Sequence, residues 1–182
     1  REQFIPFIKI INENSIQKEL FLNDDYRTQI NNTDQKIFYP INEKTRFSIN
    51  QNFRVLTKHL KKEEKTFETK GRLFKIKNYY DGGVVRFSFD ELCDKNMGAE
   101  DYLNLSKLCK HIFIEEIPIF TDSKINQQLR FITLIDILYE KKISLTLSMD
   151  SELNKLSVSK KHSKIFKRTL SRLYEMTASK NS

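Results

Sequence analysis

Glycine is scarce in this sequence, with only Gly71, Gly82, Gly83 and Gly98 among 182 residues. A phosphate-binding loop of the pattern GxxxxGK[ST] needs two glycines five residues apart, because its backbone N–H groups must approach the phosphates closely. No pair of these glycines has that spacing. The 182 residues therefore contain no loop of this type.

Histidine and cysteine are also few. His59, His111 and His162 have no companion at a spacing typical of metal ligands, and no cysteine lies beside them. Cys93 and Cys109 form no CxxC pair and lie among apolar residues, which is typical of buried free thiols in a reducing compartment. The signatures of serine hydrolases and zinc proteases are missing too. The sequence by itself carries no complete catalytic centre.

No apolar run reaches the roughly 20 residues of a membrane-spanning helix, and no signal-like segment opens the chain. The net charge of +8 favours binding to nucleic acid, acidic lipid or acidic protein without selecting among them. Lysine and asparagine are abundant throughout, so we interpret the excess of positive charge as a bias in genome composition rather than as a binding surface. The chain begins at Arg1, inside a helical pattern, and we interpret it as part of a longer protein.

The clearest structural pattern, over residues 109–150, is strand, helix, strand. Residues 111–117 form a short apolar run that ends at Pro118, which cannot donate to a sheet. Possible N-caps begin a helix over about 121–142. Residues 143–147 follow almost directly, which predicts a right-handed crossover in a mostly parallel sheet. The predicted core face of this helix consists of Ile125, Leu129, Ile132, Ile135, Leu138 and Tyr139.

The fold class predicted for the whole chain is α/β, in three parts. Residues 1–65 form the distal part of an α/β core, residues 66–96 a small antiparallel β insert, and residues 97–182 the strand–helix–strand unit with a C-terminal helix. Helices are predicted over 2–12, 48–60, 99–110 and 165–176, and strands over 15–22, 67–69, 72–79 and 84–89. The charged run over 58–65 is interpreted as a solvated helix end followed by a flexible connector rather than as a binding patch. The residues predicted to turn the insert hairpin are Asp81, Gly82 and Gly83, because glycine supplies the positive φ that such turns require.

Isolated arginines stand near the ends of predicted elements. They are Arg1, Arg27, Arg130, Arg168 and Arg172. A guanidinium near the end of an element is what phosphoryl-transfer proteins use to stabilise charge on a transferred phosphate. Arg168 and Arg172 are four residues apart on one helix and repel each other unless an anion or carboxylate lies against them.

Six segments, in order, resemble the carboxyl-terminal half of the P-loop ATPase family that includes the bacterial cell-division protein ZapE and its mitochondrial relatives. They are REQFIPFI, DDYR, RFSFDELC followed by GAEDYL, HIFIEEIP, LRFITLIDILYE and FKRTLSRLYEM. The resemblance covers residues 1–176. It implies a AAA+-type ATPase that uses ATP and Mg²⁺, with the Walker A and Walker B segments upstream of Arg1.

The resemblance also implies roles for single residues. Arg1 matches the arginine that precedes the FxPFI helix, where AAA+ proteins usually place an arginine finger. Arg130 falls in a motif that usually reads RRFI, but Leu129 replaces the first arginine here. Arg168 and Arg172 match the closing motif and, with Arg130, are candidates for nucleotide sensing. Arg27, in DYR, is a similar candidate, and Asp136 is interpreted as capping a packing seam.

The expected partners are a second copy of the chain or another protein. Nucleic acid is disfavoured because most aromatic residues occupy core positions, and contact with a membrane is at most peripheral. The expected location is the bacterial cytoplasm, with the mitochondrion as an alternative. A non-enzymatic basic adaptor or nucleic-acid-binding domain is the alternative function.

Overall fold

Six strands form a single sheet in the computed structural model, which describes residues 35–178. The strands are β1 (Ile37–Phe38), β2 (Lys62–Thr69), β3 (Arg72–Tyr80), β4 (Val84–Ser88), β5 (His111–Ile117) and β6 (Ser144–Met149). Their order across the sheet is β1-β6-β5-β4-β3-β2. The first four strands in this order are parallel to one another, and β3 and β2 continue the sheet in antiparallel fashion. The fold is therefore α/β with a mostly parallel core, as predicted.

Within residues 35–178, four α-helices cover the sheet: α1 (Glu43–Thr57), α2 (Ala99–Ser106), α3 (Ile125–Glu140) and α4 (Ser163–Thr177). The unit β5-α3-β6 is the crossover predicted from the sequence, and its two strands are parallel, with Ile112 opposite Leu145. Two short apolar strands that are joined by an amphipathic helix usually pair in parallel within one sheet.

The main core lies between one face of the sheet and helices α2, α3 and α4. An aromatic group is at its centre: the ring of Phe120 lies 5.4 Å from Phe131 and 5.6 Å from Phe166. Helix α1 covers the opposite face, where Ile49 and Phe53 pack on a smaller cluster. Both cysteines are buried, and burial raises the pKa of Cys109 to about 12.

The buried face of α3 differs in part from the predicted one. Ile132, Ile135 and Leu138 are buried as predicted, but Leu129 is exposed. Buried positions that the prediction omitted are Gln128, Phe131 and Leu134. The helix is covered by the sheet and by neighbouring helices, so its apolar stripe is wider than a single face toward one layer.

Two tight turns shape the antiparallel part of the sheet. The predicted turn before β4 is confirmed: Gly82 and Gly83 both have φ of +83°. At Gly83 a Cβ would lie 3.0 Å from the backbone nitrogen of Lys110, so this position also needs glycine for space. The turn between β2 and β3 uses Lys70 and Gly71, with φ of +51° and +74°. Two successive positive φ values match the twist of a two-residue hairpin.

The region before the hairpin was predicted incorrectly in detail. Helix α1 begins at Glu43 rather than at residue 48, because Asn42 and Thr45 form a reciprocal capping box. Residues 58–65 were interpreted as a solvated helix end and flexible connector, but β2 begins at Lys62. Exposed and half-buried residues alternate along most of this charged edge strand, and Lys75 of β3 donates to Glu64 at 2.8 Å. Such charges protect a sheet edge from pairing with other chains.

The predicted helix over 2–12, the strand over 15–22, and Arg1 and Arg27 lie outside the described residues. The three-part division at residues 65 and 96 stays a prediction, although the hairpin β2–β3 and the parallel strands share one sheet. Among the described residues, no helix has the length and apolarity needed to cross a bilayer.

Candidate functional site

A π-helical turn after β4 is held in place by side chains from two helices. It spans Asp90–Asp94. Tyr102 of α2 donates its hydroxyl to the carbonyl of Leu92 at 2.8 Å, and Arg130 of α3 donates to the carbonyl of Cys93 at 3.1 Å. Single π-helical turns expose carbonyls that an α-helix would satisfy, and these two donors satisfy them here. Arg130 therefore fixes the turn that joins the sheet to α2.

Arg168 and Arg172 of α4 converge on one carboxylate. Asp136 of α3 accepts a hydrogen bond from Arg168 at 2.8 Å and one from Arg172. Arg172 also donates to Glu140 and lies over the ring of Tyr139 at 4.8 Å. The carboxylate that the spacing of the two arginines requires is thus supplied by the neighbouring helix, and it closes the α3–α4 seam.

We expect Asp136→Ala to lower the free energy of unfolding by about 1–3 kcal/mol, because it leaves the guanidinium of Arg172, only 20% exposed, without its main partner. Arg168→Ala should cost less than about 1 kcal/mol, since Arg168 is 58% exposed. Urea denaturation of the three proteins measures both effects. Equal losses in the two variants would show that Asp136 acts only as an exposed partner.

A second charged group lies under α1. Arg86 of β4 makes a two-pronged contact with Glu115 of β5, and the second prong is 2.8 Å long. The same guanidinium donates to Asn50 of α1 at 2.6 Å and lies 4.9 Å from the ring centre of Phe53. The side chains of the pair are only 22% and 16% exposed. This pair ties adjacent parallel strands to the helix above them.

His111, on the same face of β5, is held as a neutral side chain. Its ring stacks on Phe113 at 4.9 Å, and its Nε2 lies 2.9 Å from Oγ1 of Thr146. Burial, assisted by the positive charge of Lys36, lowers the pKa of His111 to about 4. Protonation of this ring would place an unsolvated charge between the sheet and its cover.

This shift makes stability depend on pH. Because the pKa is near 6.5 in the unfolded chain and about 4 in the folded one, the unfolded state binds more protons between these values. Protonation of this histidine therefore does not reduce the free energy of unfolding above about pH 6.5. Between pH 6.5 and pH 4 it lowers the free energy of unfolding by up to about 1.4 kcal/mol per pH unit. We expect His111→Gln to flatten the dependence measured by urea denaturation, and His59→Gln, at an exposed position, to leave it unchanged. Parallel curves for wild type and His111→Gln would contradict this role.

An open cleft of about 530 Å³ lies between the β2–β3 turn and the start of α2. Its cations are already neutralised: Arg72 pairs with Asp101 at 2.9 Å, and Lys70 pairs with Glu100 at 3.0 Å. Within the described part of the chain, no group of three or more histidine, cysteine or acidic side chains is placed to hold a metal ion. These residues do not fit a complete site for ATP and Mg²⁺.

The sequence of the chain matches a known protein family. A sequence model described as AFG1-like ATPase matches residues 1–181. The chain belongs to the AFG1-like ATPase family. It is 25% identical over 176 residues to cell division protein ZapE of Escherichia coli K12, covering 97% of this chain and 47% of ZapE. It is 26% identical over 159 residues to lactation elevated protein 1 homolog B of Danio rerio, covering 86% of this chain and 31% of that protein.

The chain thus spans about half or less of the length of these relatives. No solved structure matches it. The AFG1-like segments recognised in the sequence contact one another in the fold: RFSFDELC meets HIFIEEIP through Arg86 and Glu115, and LRFITLIDILYE meets FKRTLSRLYEM through Asp136 and Arg172. These two ion pairs therefore join elements of the fold that lie far apart in the sequence.

The candidate arginines do not form one site among the described residues. Arg168 and Arg172 share Asp136, whereas Arg130 contacts the π-helical turn. The pair of Arg86 and Glu115 was missed by sequence reasoning. The signal was present, because both charged residues lie in mostly apolar strands, where an ionic side chain that is largely buried needs a partner.

Proposed function

We propose that these residues are the distal part of a AAA+-type ATPase whose phosphate-binding loop lies in sequence beyond the 182 residues. The single observation that carries this proposal is the match to the AFG1-like ATPase family over residues 1–181. The sequence contains no GxxxxGK[ST] loop, so binding of the triphosphate and Mg²⁺ falls to other residues of the whole protein. Arg1 supplies an arginine finger in this proposal.

Arg130, Arg168 and Arg172 are proposed to sense the nucleotide indirectly. Arg168 is the most available of the three, since its side chain is 58% exposed. Arg172 and Arg130 are committed to the α3–α4 seam and to the π-helical turn. A change in these contacts would move α4 relative to α3, so the arginines would report nucleotide binding through helix packing. In this proposal the ATPase works together with a second copy of itself or with another protein.

The central test is nucleotide binding. We expect the 182-residue chain to show no ATP binding in calorimetry and no magnesium-dependent hydrolysis, because it lacks the loop that grips the phosphates. A longer form of the same protein that includes such a loop should bind and hydrolyse ATP. Magnesium-dependent hydrolysis by the purified 182-residue chain would contradict the proposal.

A role in cell division, in the cytoplasm, is the specific form of this function that the likeness to ZapE favours. The mitochondrial location is the alternative. The longer form of the protein also distinguishes this function from that of a non-enzymatic adaptor. An adaptor would bind its partner equally well whether or not ATP is present.

A further inference from the structure

The segment at the start of α4 has an uneven charge. From residue 153 to residue 174 the sequence contains seven lysines and arginines and no aspartate or glutamate. Two of the seven, Arg168 and Arg172, are paired with Asp136, and Lys155 is paired with Glu152 at 2.7 Å. The remaining four form what we term the lysine patch: Lys160, Lys161, Lys164 and Lys167.

The lysine patch is exposed and has no ionic partner among residues 35–178. All four side chains belong to exposed residues. Elsewhere on the described surface lysines commonly meet carboxylates, as Lys75 does with Glu64 and Lys77 with Glu91. No salt bridge within residues 35–178 involves a member of the lysine patch. Four uncompensated charges within eight residues create a local positive potential that attracts an anionic surface.

Two aliphatic side chains project within this segment. Val158 is 65% exposed and Ile165 is 43% exposed. The backbone at Val158 is anchored to the core, because its N–H donates to the carbonyl of Phe120 at 3.0 Å. The following helix, α4, is amphipathic, and its residues Phe166 and Leu173 are buried against the core. The segment from Val158 to Lys167 therefore presents four lysines and two exposed aliphatic residues on a backbone that is anchored to the core.

The residue types in this segment favour one class of anionic partner over the others. Protein interfaces concentrate binding energy in arginine and aromatic residues, and single-stranded nucleic acids stack on aromatic rings. The arginines of this segment are already paired, and Tyr174, its one exposed aromatic residue, donates its hydroxyl to Asn154 at 2.6 Å. Lysines flanking exposed aliphatic residues are typical of segments that rest on anionic lipid.

We propose that the lysine patch, with Val158 and Ile165, docks the protein on the surface of an anionic membrane. The lysines neutralise lipid phosphates while the two aliphatic side chains enter the boundary between head groups and acyl chains. Docking at this face is independent of nucleotide hydrolysis, so it does not rest on the ATPase function proposed above.

Sedimentation with vesicles tests the proposal. We expect the 182-residue chain to bind vesicles of equimolar phosphatidylglycerol and phosphatidylcholine, and not vesicles of phosphatidylcholine alone. Replacing the four lysines of the patch by glutamine should weaken partitioning about 100-fold or more, since each lysine near an anionic surface contributes about fivefold. Val158→Ser should weaken it about tenfold through lost apolar burial.

The matched control replaces four other exposed lysines by glutamine and makes the same change in net charge. These are Lys58, Lys61, Lys95 and Lys141. Its partitioning should stay within a few-fold of wild type, because the charges lie outside the patch. The proposal is overturned if wild type does not sediment with the anionic vesicles, or if the patch and control variants weaken binding equally. It is also overturned if single-stranded DNA binds as tightly as the vesicles and Val158→Ser leaves vesicle binding unchanged.

Discussion

Glu115→Ala is expected to lower the free energy of unfolding by about 2–4 kcal/mol, the largest loss expected for any ion pair described above, because this pair is largely buried. The variant leaves the guanidinium of Arg86, 22% exposed, between the sheet and α1 with only Asn50 as an ionic or polar partner. A buried charge without its counterion costs more than the pair itself contributes, because its desolvation is no longer offset. Urea denaturation with a common slope for wild type and variant gives the difference.

The neighbouring residue provides the control. Glu116 forms an ion pair with Arg46, but both side chains are more than half exposed, at 56% and 58%. Glu116→Ala should therefore cost no more than about 1 kcal/mol. The double change Arg86→Met and Glu115→Leu removes both charges and should recover most of the loss. If Glu115→Ala proved no more costly than Glu116→Ala, the buried pair would have no special role in joining the strands.

Arg1→Ala, made in a form of the protein that carries the phosphate-binding loop, should lower ATP turnover by a factor of about 1,000 or more. The expected loss is in turnover rather than in nucleotide affinity, because an arginine finger acts mainly on charge that develops in the transition state. Single-turnover hydrolysis and equilibrium binding of ATP separate the two quantities.

Lys9→Ala is the matched control, since it removes a cation from the predicted helix that follows Arg1 and leaves the finger position unchanged. Its turnover should stay close to that of wild type. Unchanged turnover in Arg1→Ala, with unchanged affinity, would remove the finger assignment and leave the family membership intact.

The parts of the fold that the sequence predicted are those where pattern and chain order agree. The unit β5-α3-β6 combines short apolar strands, an amphipathic helix and minimal loops, and each of these signals favours a parallel crossover. The turn at Gly82 and Gly83 has only one chemical explanation. By contrast, only the end of β2, residues 67–69, was predicted as a strand. Its first residues were assigned to a helix end and connector, because their charges mask the alternation of an edge strand, and pairing with β3 makes them part of the sheet.

The candidate site shows the same limit. Sequence spacing indicated that Arg168 and Arg172 need a carboxylate, and the fold supplies Asp136 from a helix more than 30 residues earlier. Local pattern cannot name such a partner, because the packing of α3 against α4 depends on the whole sheet. The roles of Arg130 at the π-helical turn and Arg86 beneath α1 are set by contacts of the same kind.

The shortest strand governs how the sheet opens. Ile37 of β1 pairs only with Leu147 of β6, 110 residues later, whereas β2 and β3 are joined by two residues. Closing the longer loop costs more chain entropy and returns only a two-residue ladder. Amide hydrogen exchange should therefore be fastest at this margin, where the strand can detach while β4, β5 and β6 keep their ladders. The ladder between β1 and β6 can therefore open while the layer beneath α3 and α4 stays folded.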